Sequence, residues 1–267
     1  MQRLYPTKAF VVLGAWLLSA AAVCSAAEVP APPVAPIQEV TETLHGVTLT
    51  DPYRYLENLR APQVQEWFKG QGAYARATLD RIAGRDDMEK RITELTSASG
   101  DAITRITRMP GDRIYYLKRP KGERQFKLAM RVGMRGVERI LMDPEVEAKR
   151  TGVPHAINYF RPSWDGKYVA YGVSAGGSED AALHILDVAI GHDTGAVFER
   201  VHQPDVNWLP DSHTLAFNQL KVPTPGEPES EAYMDSRVVL HTVGEAADRA
   251  VAVFGPTVTR NLGLGRL

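Results

Sequence analysis

The feature that most constrains this chain is a turn-and-strand pattern that recurs in its second half. Residues 164–171 (WDGKYVAY) recur as residues 209–217 (LPDSHTLAF), so that Asp165 matches Asp211 at an offset of 46 residues. A weaker copy, residues 111–116 (GDRIYY), ends 55 residues before the first. The aspartate suits a tight turn, and the apolar run after it suits a buried strand. Periods of about 40–50 residues with several strands each are typical of propeller blades.

Around these copies, the pattern of apolar and polar side chains has the period of two that is typical of strands. Residues 113–117 (RIYYL) and 127–131 (KLAMR) flank residues 120–123 (PKGE), which is the pattern of a β-hairpin. Short strands bounded by Gly, Pro and Asp continue to the end, and no helical pattern of useful length is seen after residue 100. We therefore expect residues 101–267 to form the first two to three blades of a β-propeller, the last of them incomplete. So few blades cannot close a ring, because propellers have at least about four.

Upstream of the strands the period is helical. Residues 61–79 repeat apolar positions at steps of three and four, with Pro62 in the first turn, which predicts a helix. A second helix is predicted from residue 87 to about residue 95, with Asp86 as its cap. One face of that helix holds Met88, Ile92 and Leu95. Residues 40–100 are therefore expected to form an N-terminal helical segment.

The first 27 residues have the composition of a secretory signal peptide. Arg3 and Lys8 precede an apolar stretch over residues 9–22, and small residues stand just before Glu28. The apolar stretch is short for a membrane-spanning helix, although a retained N-terminal anchor is an alternative. We expect residues 1–27 to be removed on export, which predicts a periplasmic or secreted protein with no membrane attachment. Residues 28–39, rich in Pro and Ala, are expected to be a linker.

Composition excludes several classes of function. The 31 Lys and Arg residues against 32 Asp and Glu residues give a net charge of −1, which argues against nucleic acid as a partner. Cys24, the one cysteine, lies in the predicted signal peptide, so the mature chain would have no disulfide and no thiolate ligand. The seven histidines show no H-E-x-x-H spacing, and no P-loop, dinucleotide fingerprint or EF-hand loop is present. We therefore expect no metal and no cofactor.

One motif suggests a serine nucleophile. Residues 172–176 (GVSAG) match the G-x-S-x-G elbow, in which a serine follows a strand and begins a helix. Here Ser174 is followed by residues 177–180 (GSED) and then by residues 184–188 (HILDV), which predict another strand. We therefore place Ser174 in a hairpin loop and predict that no residue of this chain is catalytic.

Several segments together resemble a known family. Residues 45–46 (HG), residues 51–57 (DPYRYLE), Trp67 and Gln71 resemble the N-terminal pattern of the prolyl oligopeptidase family of serine peptidases, which more often has Trp in place of Tyr55. The resemblance continues through residues 140–144 (ILMDP), 170–179 (AYGVSAGGSE), 231–235 (EAYMD) and 239–241 (VLH). It runs from about residue 40 to the C-terminus.

The resemblance implies a fold and a function. It implies a partial seven-bladed β-propeller, preceded by helices that pack on a catalytic α/β-hydrolase domain. In the family the propeller admits short proline-containing peptides to that domain, whose Ser, Asp and His come later in the chain. None of those positions falls in these 267 residues, so the hydrolase domain is expected to be absent and the chain to be inactive alone. Two alternatives stay open: a secreted propeller module that binds peptides or proteins without catalysis, and an unrelated structural or carbohydrate-binding propeller, which residues 51–57 disfavour.

Overall fold

The computed structural model describes residues 31–98, 100–202, 205–227, 231–256 and 258. The chain divides into two compact units, with the boundary between Ile92 and Thr93. The predicted signal peptide and the start of the predicted linker lie outside the described residues.

The first unit opens with a β-hairpin. Strands β1 (Val40–Leu44) and β2 (Val47–Asp51) pair antiparallel around His45 and Gly46, whose φ angles are 52° and 82°. Two positive φ angles in succession are typical of the tight turns that match the twist of a hairpin. Facing threonine hydroxyls reinforce the pairing. No strand was predicted before residue 100, so this hairpin is an addition to the helical segment expected over residues 40–100, and its alternating residues favour strands.

Two helices complete the N-terminal region. A 3₁₀ turn (Arg54–Glu57) leads into α1 (Pro62–Leu79), which confirms the helix predicted for residues 61–79. Helix α2 (Arg85–Ala98) confirms the second prediction but begins two residues early. Asp86 therefore lies inside its first turn instead of capping it, and a carboxylate there still interacts favourably with the helix dipole.

The second unit holds three antiparallel sheets, each of four strands that pair in chain order. The first sheet contains β3 (Ala102–Met109), β4 (Arg113–Arg119), β5 (Lys127–Val132) and β6 (Arg139–Met142). The second contains β7 (His155–Pro162), β8 (Tyr168–Ala175), β9 (Ala182–Asp187) and β10 (His192–Phe198). The third contains β11 (Val206–Trp208), β12 (Thr214–Gln219), β13 (Arg237–Thr242) and β14 (Val251–Phe254).

The sequence repeat coincides with this architecture. All three copies of its aspartate, Asp112, Asp165 and Asp211, lie in the turn between the first and second strands of a sheet. The repeat therefore identifies the sheet as the structural unit, as predicted. The prediction of an incomplete third unit was wrong, because β14 supplies its fourth strand.

A third helix was not foreseen. Helix α3 (Pro144–Thr151) connects the first sheet to the second, although no helix was expected after residue 100. The side chain of Asp143 caps it by accepting a 3.0 Å hydrogen bond from the amide of Glu145, and Gly152 ends it with a φ of 76°. Pro144 is its one buried residue, so the helix has no apolar stripe for periodicity to reveal.

The core of this unit lies between successive sheets. Along β8 the side chains alternate, so that Val169 and Tyr171 join a cluster shared with the first sheet, whereas Ala170 joins one shared with the third. Strand β8 is consequently buried along almost its whole length. Burial on both faces is what adjacent propeller blades require of a central strand.

Candidate functional site

Arg54 organises residues 51–57, a segment that carries part of the family resemblance. Its guanidinium lies 2.6 Å from the carboxylate of Glu42 on β1, 3.3 Å from that of Asp51 and 3.4 Å from that of Glu57. Asp51 also accepts a 2.8 Å hydrogen bond from the amide of Tyr53, and this bond is the main reason that the pKa of Asp51 is lowered. The segment therefore fastens the 3₁₀ turn to the β-hairpin within the first unit.

Trp67 and Gln71, the other residues of this N-terminal pattern, meet at a single acceptor. The indole nitrogen of Trp67 and the side-chain amide of Gln71 donate to the carbonyl of Pro33, at 3.1 and 2.5 Å. Gly70 allows the close approach, because a Cβ atom there would stand 2.8 Å from the ring of Pro33. The two side chains therefore hold the described end of the predicted linker against α1.

Ser174 does not sit in a nucleophile elbow. It lies near the end of β8 with its side chain buried, and Gly176 and Gly177, with φ angles of 64° and 78°, turn the chain into β9. No helix follows the serine, as predicted, but the residue belongs to the strand and not to the hairpin loop in which we placed it. Its hydroxyl makes no hydrogen bond within the described part of the chain.

Packing explains the first glycine of that motif. A Cβ atom on Gly172 would stand 2.3 Å from ring atoms of Tyr159, which lies across from it on β7. Tyr159 in turn donates a 2.7 Å hydrogen bond from its hydroxyl to the carbonyl of Val201. Both glycines of the G-x-S-x-G motif therefore have a structural reason. Gly172 leaves room for the ring of Tyr159, and Gly176 adopts the positive φ angle of the turn.

A tyrosine, an aspartate and a histidine meet on the second sheet. The hydroxyl of Tyr171 lies 2.9 Å from both carboxylate oxygens of Asp193, and the ring of His184 stacks on Tyr171 with Nδ1 3.4 Å from the same carboxylate. Burial, and secondarily Asp193, raise the pKa of Tyr171. Because the three residues come from β8, β9 and β10, the arrangement holds the edge strand β10 to the sheet.

A second polar cluster joins loops at one end of the second and third sheets. Asp180 pairs with Arg200 at 3.2 Å and with His202 at 2.6 Å. Arg200 also donates a 2.7 Å hydrogen bond to the carbonyl of Ala232 and lies over the ring of Tyr233. The cluster thus brings residues 231–235 beside the loop that follows residues 170–179. Residues 231–235 and residues 170–179 both carried the family resemblance. Sequence reasoning missed Arg200, because no local pattern distinguishes it.

No group of three or more His, Cys, Asp or Glu side chains able to hold a metal ion occurs among the described residues. Within the same residues, no helix has the length and apolar character needed to cross a membrane.

Comparisons with known proteins agree on one family. The sequence model described as the prolyl oligopeptidase N-terminal beta-propeller domain matches residues 32–264. A curated relative, the prolyl endopeptidase of Elizabethkingia meningoseptica, is 21% identical over 215 residues, which are 80% of this chain and 30% of that protein.

Solved structures give the same result. A structure from a study of inter-domain dynamics in two prolyl endopeptidases aligns with a TM-score of 0.70 and 30% identity, over 84% of this chain and 32% of that one. Prolyl oligopeptidase B of Galerina marginata, bound to a 35mer hydrolysis and macrocyclization substrate, aligns with a TM-score of 0.63 and 18% identity. It covers 84% of this chain and 34% of that one, and at this identity it supports the fold alone.

The chain spans about a third of the length of these relatives. The described residues are mainly β, with successive four-stranded sheets preceded by helices, which confirms the predicted partial propeller and its helical N-terminal segment. With a family match over residues 32–264, this chain belongs to the prolyl oligopeptidase N-terminal β-propeller family.

Proposed function

We propose that this chain is the N-terminal, propeller-bearing part of an exported, prolyl oligopeptidase-like serine peptidase that cleaves short peptides after proline. The observation that carries the proposal is the run of three four-stranded sheets in chain order, within a family match that covers residues 32–264. In this proposal the propeller limits access to an α/β-hydrolase domain, which supplies the serine, aspartate and histidine of the reaction.

Packing between the sheets supports a role as a size filter. Tyr115 donates a 2.8 Å hydrogen bond to the carbonyl of Gly166 across the first two sheets, and Trp164 donates one of 2.9 Å to that of Trp208 across the next two. Apolar clusters lie in both interfaces. Sheets that are bonded and packed together in this way separate little. In a closed ring, a peptide would therefore enter through the channel of the propeller, which in this proposal is too narrow for folded proteins.

Helix α2 supports the proposed partnership with a hydrolase domain. Met88 and Leu95 are 67% and 56% exposed, and they share a helix face with Ile92. Burying each such side chain is worth about 1.5–3 kcal/mol, so a covering domain would gain from this face. We infer that the N-terminal helices pack on the hydrolase domain in the longer protein.

The chain alone is expected to be inactive, and a hydrolysis assay tests this. Purified chain is incubated with a fluorogenic proline-containing peptide, beside the product of the coding sequence extended past residue 267. We expect turnover by the extended product and none by the chain, because Ser174 has neither a helix behind it nor a base bonded to its hydroxyl within the described residues. Turnover that Ser174→Ala removes and Ser178→Ala, a change in the adjoining loop, preserves would overturn the proposal.

The filter and the export are tested separately. For the extended product, we expect cleavage of a short proline-containing peptide and none of the same sequence inside a folded protein. For export, intact mass of periplasmic material should show an N-terminus at Ala27 or Glu28, because small residues precede that point. A mass that retains Met1 contradicts the export proposal and leaves the peptidase proposal standing.

A further inference from the structure

A cleft opens between the first and second sheets, on the side where their first and second strands are joined. Its volume is about 410 Å³, within the range of about 300–1,000 Å³ that is usual for ligand pockets. Buried Met130 and Val188 form an apolar wall, and Val137 stands at the exposed rim. Arg113, Arg139 and Lys167 also line it. All of these residues belong to the second unit and lie outside the sites described above.

The two arginines are oriented by bonds to main-chain carbonyls. Arg113 donates from Nη1 to the carbonyls of Pro110 and Asp165, at 3.1 and 3.4 Å, and Arg139 donates from Nη2 to that of Val188 at 3.0 Å. Each set of bonds uses one nitrogen of a guanidinium that has five N–H groups. Two pre-oriented guanidiniums therefore retain N–H groups for a ligand.

The charge of the cleft favours an anion. Its lining holds three cations against one carboxylate, that of Asp187, which already accepts hydrogen bonds from the amides of Ala189 and Ile190. Asp165 lies outside the lining but pairs with Lys167 at 3.2 Å. With Asp165 included, three cations still face two carboxylates, so the group keeps a net charge of +1.

The geometry points to a binding site for the C-terminal carboxylate of a short peptide whose last residue is apolar. Arginine binds a carboxylate with two parallel hydrogen bonds, and the wall of Met130 and Val188 suits an apolar side chain beside it. The choice of a peptide over other carboxylates rests on the proposed function. The site would hold peptides on the propeller itself.

Binding of a labelled peptide to the full chain tests this inference. A short peptide ending in leucine, with a fluorophore at its N-terminus, is titrated at low ionic strength and followed by fluorescence anisotropy, beside the same peptide with an amidated C-terminus. We expect the free acid to bind roughly tenfold more tightly than the amide, because the amide cannot form the charge-assisted bonds.

Two matched variants locate the site. Val137→Glu places a negative charge at the rim and should abolish the preference for the free acid. Val146→Glu on α3 should keep it, since that change also replaces an exposed valine by glutamate. The two valines are 87% and 66% exposed, so neither change threatens folding.

Three results would overturn the inference: equal binding of acid and amide, unchanged binding by Val137→Glu, or displacement of the peptide by an equal concentration of inorganic phosphate. The last would show an anion site with no preference for peptides. Because the assay measures binding without hydrolysis, its failure leaves the peptidase proposal intact, and failure of the hydrolysis assay leaves the measured binding intact.

Discussion

The indole nitrogen of Trp164 donates a 2.9 Å hydrogen bond to the main-chain carbonyl of Trp208, which belongs to the next sheet. Trp208 donates in return, from its own indole nitrogen to the carbonyl of Arg161, also at 2.9 Å. The same turn of the second sheet accepts a hydrogen bond from Tyr115 of the first sheet through the carbonyl of Gly166. The repeated turn therefore connects two strands of its own sheet and also forms hydrogen bonds with the neighbouring sheets.

The two tryptophans should contribute unequally to stability. Trp208 is buried, so Trp208→Phe leaves the carbonyl of Arg161 without its donor and should cost about 1–3 kcal/mol in the free energy of unfolding. Trp164 is 59% exposed, so water can replace its bond and Trp164→Phe should cost less than about 1 kcal/mol. Urea unfolding of both variants measures the difference. Equal losses would contradict the role given to burial.

Within the G-x-S-x-G motif, the glycine should matter more to folding than the serine. Gly172→Ala places a methyl group against the ring of Tyr159 and should cost about 1–3 kcal/mol in the free energy of unfolding. Ser174→Ala should change it little, since the serine hydroxyl has no partner in the described residues. Combining Gly172→Ala with Tyr159→Leu should cost less than the sum of the single changes. Additive losses would show that the ring is not the obstacle.

Two buried tyrosine hydroxyls provide a matched comparison. That of Tyr55 is buried with no partner among the described residues, whereas that of Tyr159 donates to Val201 at 2.7 Å. Tyr55→Phe should therefore be neutral or stabilising by about 1 kcal/mol, and Tyr159→Phe destabilising by about 1–2 kcal/mol. Thermal or urea unfolding distinguishes them. A clear loss of stability in Tyr55→Phe would reveal a partner for that hydroxyl.

Stability should fall on mild acidification because of His241. Burial, partly opposed by Glu245, lowers its pKa below the ordinary value of 6.5, and neither ring nitrogen has a partner within the described residues. As the pH falls through about 6.5, the unfolded chain takes up a proton that the folded chain refuses. The free energy of unfolding therefore decreases from pH 7 towards pH 5.

Variants at two histidines test that pH dependence. His241→Leu removes the buried ring and should flatten the profile of stability against pH. His213→Gln, a change at an exposed histidine in the turn between β11 and β12, should retain the slope. The interpretation is wrong if both variants keep the slope, or if both lose it.

Local pattern was enough to predict several of the elements. The period of residues 61–79 gave α1, and the alternation on either side of residues 120–123 gave β4 and β5. These features are visible because one face of each element is apolar or because the turn residues are distinctive. Helix α3 was missed, although Asp143 and Gly152 mark its ends, because its eight residues carry no apolar stripe.

The contacts between sheets could not be predicted in the same way. Arg139 reaches the carbonyl of Val188, which is 49 positions later, and Arg105 reaches that of Asn158, 53 positions later. In each case the acceptor is a main-chain carbonyl. Every residue has one, so the sequence does not indicate which residue will accept the bond. The cleft between the first two sheets, which depends on such contacts, was invisible for that reason.

The exposed face of α2 should make the isolated chain bind a hydrophobic dye. Met88 and Leu95 stand seven positions apart, two turns of helix, and therefore project on the same side. Contiguous apolar surface of this kind favours dye binding and self-association. We expect strong fluorescence of an added naphthalene sulfonate dye, and association that increases with protein concentration in analytical ultracentrifugation.

Polar substitutions on α2 test whether the dye binds to this face or to other apolar surface of the chain. The double variant Met88→Gln/Leu95→Gln should lower dye fluorescence and shift the chain towards monomer, while circular dichroism shows the helix retained, since glutamine is a good helix former. Val146→Gln on α3 removes one isolated exposed valine and should change neither. The extended product should also bind less dye, because in our proposal the hydrolase domain covers α2. Unchanged fluorescence in the double variant would place the dye elsewhere and remove the support that α2 gives to a covering domain.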